Sequence, residues 1–223
     1  MQIWKIKELR EQLKKTLTSD RYKDACKLLT SLDWKIRAEQ YHAHTAQEAF
    51  HEHFGCSELT PIEVLNSAFN DLDVAAKFSY SKSVREFNLV AAISTSHTTP
   101  EIFCQLIALL FIPNKIEVND ITPNKVISHL SNIELENALR DITDSAEYKY
   151  FQAFTNMYKH RSLVIPDYHL VLDDNESHGV RFKEFKYRRN IFKPKRDVDL
   201  IEELSIMRTK FIKLGIIISK LSA

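Results

Sequence analysis

One stretch of this chain, Tyr150 to Val164 (YFQAFTNMYKHRSLV), gathers side chains suited to acid–base work. At about 100° per residue, a helix here places Phe151, Phe154, Tyr158 and Ser162 on one face. Lys149, Asn156 and His160 then share the opposite face, with small Ala153 between them. An imidazole can both take and give a proton near neutrality. A neighbouring Lys or Arg steadies charge that builds on a phosphate, and an asparagine amide can orient a hydroxyl or a phosphate oxygen. Such a group could cleave RNA by activating its 2′-hydroxyl, with no metal and no cofactor. His160 would be the general acid and base, Asn156 the orienting group, and Lys159 or Arg161 the phosphate clamp. A plainer explanation exists for the same residues. Cations in the last turn of a helix complement its dipole, by ~0.3–1 kcal/mol each.

A second concentration lies between Arg181 and Arg196. Arg181, Lys183, Lys186, Arg188, Arg189, Lys193, Lys195 and Arg196 face one acid, Glu184, and Phe182, Phe185, Tyr187 and Phe192 are interleaved. Cations for phosphates and rings for bases are what single-stranded RNA binding requires. Arg181, Lys183, Lys186, Arg188 and Arg189 are the nucleic-acid-binding candidates. The alternative is a solvated hairpin whose rings pack on the protein and whose cations keep its edge from pairing with other chains.

Other clusters carry less chemistry. His42, His44, His51 and His53 crowd one helix, where Glu39-x-x-His42 and Glu48-x-x-His51 both occur. A di-iron site needs that element on two helices, and zinc needs three or four converging ligands. No metal site is expected. His97 sits in a polar Ser/Thr run that reads as a capping loop. Cys26, Cys56 and Cys104 are odd in number and far apart, as reduced thiols would be. No glycine-rich phosphate loop, nucleophile elbow or dinucleotide fingerprint is present.

The elements that must position these residues read as helices. Ile6, Leu9, Leu13 and Leu17 mark a first helix face. A longer helix is expected over about Asp20 to Phe54, stopped by Gly55. Thr60-Pro61-Ile62-Glu63 is a capping box with proline at the first helical position. Further starts are read at Ser83/Glu86, Thr98/Glu101, Thr122-Pro123, Ser131/Glu134 and Asp144/Glu147, with Pro166 closing the last of these. From Tyr168 to Tyr187 the character is extended, with a turn at Asp173-Asp174-Asn175 and Gly179. An apolar phase slip between Phe182 and Phe185 suggests a bulge. Leu200, Leu204, Met207, Phe211, Leu214, Ile218 and Leu221 form a heptad seam, either packed in the core or shared with a second copy.

With three glycines in 223 residues, sheet-rich folds that need many tight turns are disfavoured. An apolar share of 44% and a charged share of 27% fit an ordinary globular chain. A net charge of +1 means that any nucleic-acid contact must come from a local patch. There is no signal-peptide pattern and no apolar run long enough for a membrane span, so a cytoplasmic protein is expected. The fold expectation is an all-α bundle of seven or eight helices with a small β-hairpin inserted near 168–187. It forms one domain over 1–223.

Asn156-Met157-Tyr158-Lys159-His160-Arg161, on a late helix of such a bundle, resembles the HEPN superfamily. The match covers about six residues, with a looser helical likeness over Ser83 to Ala223. The resemblance implies an up-and-down helical core over about 60–223, with N-terminal helices 1–55 packed on it. It also implies a homodimer in which motifs from both copies line one cleft. Many members are metal-independent ribonucleases of defence or toxin–antitoxin systems, and others are non-catalytic binding modules, so the alternative expectation is a helical module for dimerisation or for holding a protein partner. His160 matches the family histidine and Asn156 its polar residue. The family arginine has no counterpart, because Thr155 stands in its place.

Overall fold

The structure, a computed structural model, describes residues 3–56, 58–69, 72–113, 115–171 and 177–222. It is predominantly helical. In chain order it runs α1 (Ile6–Thr16), α2 (Ser19–Gln47), α3 (His51–Phe54), α4 (Pro61–Phe69) and α5 (Leu72–Phe111). After a 3₁₀ turn at Val118–Asp120 come α6 (Pro123–His129), α7 (Ile133–Thr143) and α8 (Ala146–His160). Five short strands follow: β1 (Pro166–Val171), β2 (Ser177–Phe182), β3 (Phe185–Tyr187), β4 (Asn190–Phe192) and β5 (Lys195–Arg196). The chain ends in α9 (Asp197–Leu221). Among the described residues no helix is long and apolar enough to cross a membrane.

Local chemistry explains the helix boundaries. The Thr60 capping box forms as expected: the Thr60 N–H donates to Glu63 Oε2 at 2.7 Å, and the Glu63 N–H donates to Thr60 Oγ1 at 3.3 Å. The Thr60 N–H, together with the Thr60 hydroxyl, which also donates to Glu63 Oε2, holds the Glu63 carboxyl below its usual range. Thr122 caps α6 by accepting from the Lys125 N–H. Gly55 ends α3 in the left-handed region, at φ 69°. The expected helix from Asp20 to Phe54 is interrupted before α3, where Ala49 and Phe50 turn into the core.

Four expected starts differ. Ser83 and Thr98 begin no helix, because α5 runs unbroken for 40 residues past Pro100. The hydroxyls that read as caps turn back inside it: Ser83 donates to the Ser79 carbonyl and Thr98 to the Thr95 carbonyl. Asn132, one residue after Ser131, caps α7 by accepting from the Leu135 N–H. Asp144 closes α7, and Ser145 Oγ accepts from the Tyr148 N–H at the start of α8.

The chain forms two compact units. The first comprises Met1–Ala38, Thr95–Lys149 and Ser205–Ala223. Its core holds Leu9, Leu13, Leu29, Phe103, Leu139 and Phe211, each at most 2% exposed. Trp4 stacks on Phe103 at 5.6 Å and donates its indole N–H to Ser219 Oγ at 3.0 Å. The indole lies against Gly215, where a Cβ would overlap it. Cys104 is buried here, and burial pushes its thiol up to about 12.

The second unit comprises Glu39–Ser94 and Tyr150–Leu204. Ala49, Phe50, Leu59, Val64 and Phe78 form one apolar cluster, against which Tyr168 and Leu170 of β1 pack. The strands form two small antiparallel sheets, one in the order β1-β2-β5 and one of β3 with β4. The first pairs Pro166 with Phe182, and Arg181 with Arg196; the second pairs Phe185 with Phe192. The expected single hairpin near 168–187 is therefore two hairpins. The phase slip between Phe182 and Phe185 is not a bulge but a change of sheet. Both rings still reach the same helix, at 5.1 and 6.1 Å from Phe154. The expected turn at Asp173-Asp174-Asn175 lies outside the described residues.

The seam on α9 is buried within the chain. Leu200, Leu204, Met207, Phe211, Leu214 and Ile218 are each at most 1% exposed, so these six are core, and Leu221 at the end of the seam is half-buried.

Candidate nucleic-acid interface

Helix α8 takes its orientation from Phe151 and Phe154, both fully buried. The opposite face is exposed at Lys149, Gln152, Lys159 and His160, with Asn156 half-buried. Ala153 belongs to the inner side, at 1% exposure. The helix stops at His160 and not at Pro166: the N–H groups of Arg161 and Ser162 both donate to the Met157 carbonyl, and the chain then leaves as coil. The Asn156 amide is turned along its own helix and donates to the Gln152 carbonyl at 2.8 Å. His160 is exposed at the last position of the helix. Thr155 is 1% exposed, and its Oγ1 has no hydrogen-bond partner among the described residues. An arginine there would be driven into the core.

The hairpin β3–β4 rests on the same helix. Phe185 and Phe192 stack on each other at 5.1 Å, and both meet Tyr150 edge-on, at 5.5 and 5.9 Å. These rings, with Phe182, are spent on packing and cannot stack on bases. Lys186 and Ile191 form the outward pair and are exposed. Arg188 and Arg189 make the two-residue loop. Arg188 adopts φ 57°, a conformation that costs a residue with a Cβ roughly 1–2 kcal/mol. Glycine would be the ordinary choice there.

Tyr187 joins helix and hairpin. The Arg161 guanidinium, just past the end of α8, lies over its ring at 5.7 Å, and that of Arg188 at 5.3 Å. Two cations read separately in the sequence thus meet at one aromatic ring. Around them Lys159, Lys186, Arg189 and Lys193 are exposed, and none of these six cations is paired to a carboxylate among the described residues.

Three more cations of the ribbon are spoken for. Arg181 donates to both Asp167 oxygens, at 3.2 and 3.1 Å, and Lys183 lies 3.9 Å from the same carboxylate. The Arg181 hydrogen bonds hold the Asp167 carboxyl below its ordinary range. Lys195 is paired with Glu203 and sits over the Tyr150 ring at 4.3 Å. Asp167 and Glu203 were invisible as partners in the sequence, because strand register and a turn of α9 bring them in.

The histidine-rich region holds no converging set of three metal-ligand side chains among the described residues. His42 Nδ1 lies 2.8 Å from Asn88 Oδ1, and His53 meets the Tyr80 ring edge-on. His97 is not in a loop. It lies within α5, 7% exposed, with its ring 5.8 Å from that of Tyr148.

No protein-family model, no curated protein and no solved structure matches this chain.

Proposed function

We propose that this chain is a HEPN-like helical protein that binds RNA at the surface shared by the end of α8 and the β3–β4 hairpin. The observation that carries this reading is the Arg161–Tyr187–Arg188 contact. It gathers unpaired cations from two elements beside one exposed loop, in a chain whose net charge is only +1. Cations not neutralised by carboxylates are those that can release counterions from a phosphate backbone. Lys186, Arg188, Arg189 and Arg161 are the phosphate contacts, and Tyr187 supports them as a cation–π base. Where two copies associate, as in the family this chain resembles, paired His160 residues would supply acid–base cleavage without a metal. Asn156 and Lys159 would assist them after the amide swings away from Gln152.

The test is fluorescence anisotropy with a short single-stranded RNA at several salt concentrations, then a gel of the same RNA incubated in EDTA. Binding should weaken steeply with salt, and cleavage should vanish in His160→Ala. Salt-insensitive binding, or none, would sink the interface. Wild-type cleavage by His160→Ala would remove that residue from the mechanism.

A second reading is favoured by the Asn156 hydrogen bond and by buried Thr155: a non-catalytic helical module that dimerises or holds a partner protein. RNA left intact, alongside a stable homodimer in light scattering, selects it.

A further inference from the structure

A polar cavity of about 300 Å³ in the second unit is lined by Arg85 of α5, His178 of β2, Arg196 of β5, Glu58 and the first turn of α9. Its deepest charge is poorly compensated. Arg85 is 3% exposed, and a buried guanidinium is costly unless it is paired and hydrogen-bonded. Its counter-ion is Asp197, 3.2 Å from Nε. That carboxylate is already engaged, since Oδ2 accepts from the Val180 N–H at 2.9 Å and Oδ1 from the Val198 N–H at 2.8 Å. The Nε contact is not aligned as a hydrogen bond, and Nε has no partner of that kind among the described residues. The Phe50 ring, 5.5 Å from the guanidinium carbon, contributes only a π-face.

The other lining groups suit an anion that carries a donor. Arg196 is held only loosely, 3.9 Å from Asp199. His178 shares its Nδ1 with the Tyr168 hydroxyl at 2.8 Å, which leaves the second ring nitrogen for a ligand. The 25-residue helix α9 begins at Asp197 and its first turn borders the space, with Asp197 and Asp199 already offsetting its dipole, so the cations that face an anion are the two arginines. Glu58 is an acceptor that would repel a bare polyanion and would welcome a hydroxyl or an amine.

We propose that this cavity binds a small metabolite with an oxyanionic head group, phosphate or carboxylate, and an adjacent hydroxyl or amine. The head group sits against Arg85 and Arg196, where the planar forks match its oxygens. The hydroxyl or amine reaches Glu58. The volume is at the lower end for ligand sites, which restricts the ligand to a small molecule or to the terminal nucleotide of a strand. This inference stands apart from the RNA surface, whose residues it does not use.

The experiment is calorimetric titration of the full chain with inorganic phosphate, glycerol 3-phosphate and glycine, against sodium chloride of equal ionic strength. At least one oxyanion probe should bind saturably at one site. Arg196→Gln should weaken it about tenfold or more, and Glu58→Gln should weaken glycerol 3-phosphate or glycine while sparing inorganic phosphate. Arg85→Lys should also lose binding; should that variant fail to fold, the two rim variants decide alone. Absence of saturable binding by every probe, or binding unchanged in Arg196→Gln, overturns the proposal. A 5′-phosphorylated RNA that outcompetes its 5′-hydroxyl counterpart, with the advantage lost in Arg196→Gln, would name a strand end as the source of the phosphate. Equal competition would name a free metabolite.

Discussion

Arg85 and Arg188 put the same side chain in opposite settings. Arg85 is sealed from solvent, faces a carboxylate and is covered by an aromatic ring. Arg188 stands exposed on a strained two-residue loop, over a tyrosine, with no carboxylate paired to it among the described residues. In the first place water supplies little, and one carboxylate that is already engaged elsewhere supplies the anion. In the second, water and salt do nearly all of it, and the charge remains available to a partner. Burial therefore separates an arginine whose charge the protein itself must balance from one whose charge water and salt balance.

The largest test of this contrast is Asp197→Ala. It leaves Arg85 buried without its anion and two N–H groups without an acceptor, and should cost about 3–5 kcal/mol in urea unfolding. Arg188→Ala should stay within ~0.5 kcal/mol of the wild type. A loss below about 1 kcal/mol for Asp197→Ala would erase the distinction. Next comes Gly179→Ala, at the point where β2 passes the same carboxylate. Gly179 has φ 148°, and a Cβ would stand 2.7 Å from Asp197 Oδ1, so about 1–3 kcal/mol should be lost.

Arg188→Gly sharpens the exposed side. It relieves the left-handed backbone and should raise stability by up to ~1 kcal/mol. It should also weaken RNA binding and lower the salt slope by about one. Gains in both stability and affinity would show that the strained arginine does not serve binding. The smallest effect belongs to Asp167→Asn. The Asp167 carboxyl is held below its ordinary range by Arg181, so its contribution is present above the unfolded-state value. That contribution is lost as pH falls through the lower folded value. The wild-type advantage over the variant should be full near neutrality, small because the pair is partly exposed, and gone at strongly acid pH in paired urea titrations.

What the sequence made legible was whatever neighbours decide among themselves. The Thr60–Glu63 box, the Thr122–Pro123 start, the Gly55 stop and the buried α9 stripe depend on spacings of a few residues. So does the outward turn of His160. The Ser83 and Thr98 starts misled because a hydroxyl can cap a new helix or bond back inside an old one, and only packing decides between them. The slip at Phe182–Phe185 misled for a similar reason: a bulge and a change of sheet shift the alternation alike. Arg85, Asp197 and Arg196 could not be read as one site, because nothing local joins α5 to the strands.

Asp197 has one more consequence. Strands β1 to β5 lie between α8 and α9, and where the last of them meets α9 one carboxylate clasps β2, α5 and the first turn of α9 together. The segment behaves like a buckled strap, with its fastening out of reach of solvent. Unbuckling it should not melt the helices first. It should free the strap, so that in the Asp197→Ala protein trypsin cuts among its many lysines and arginines well before it reaches α9.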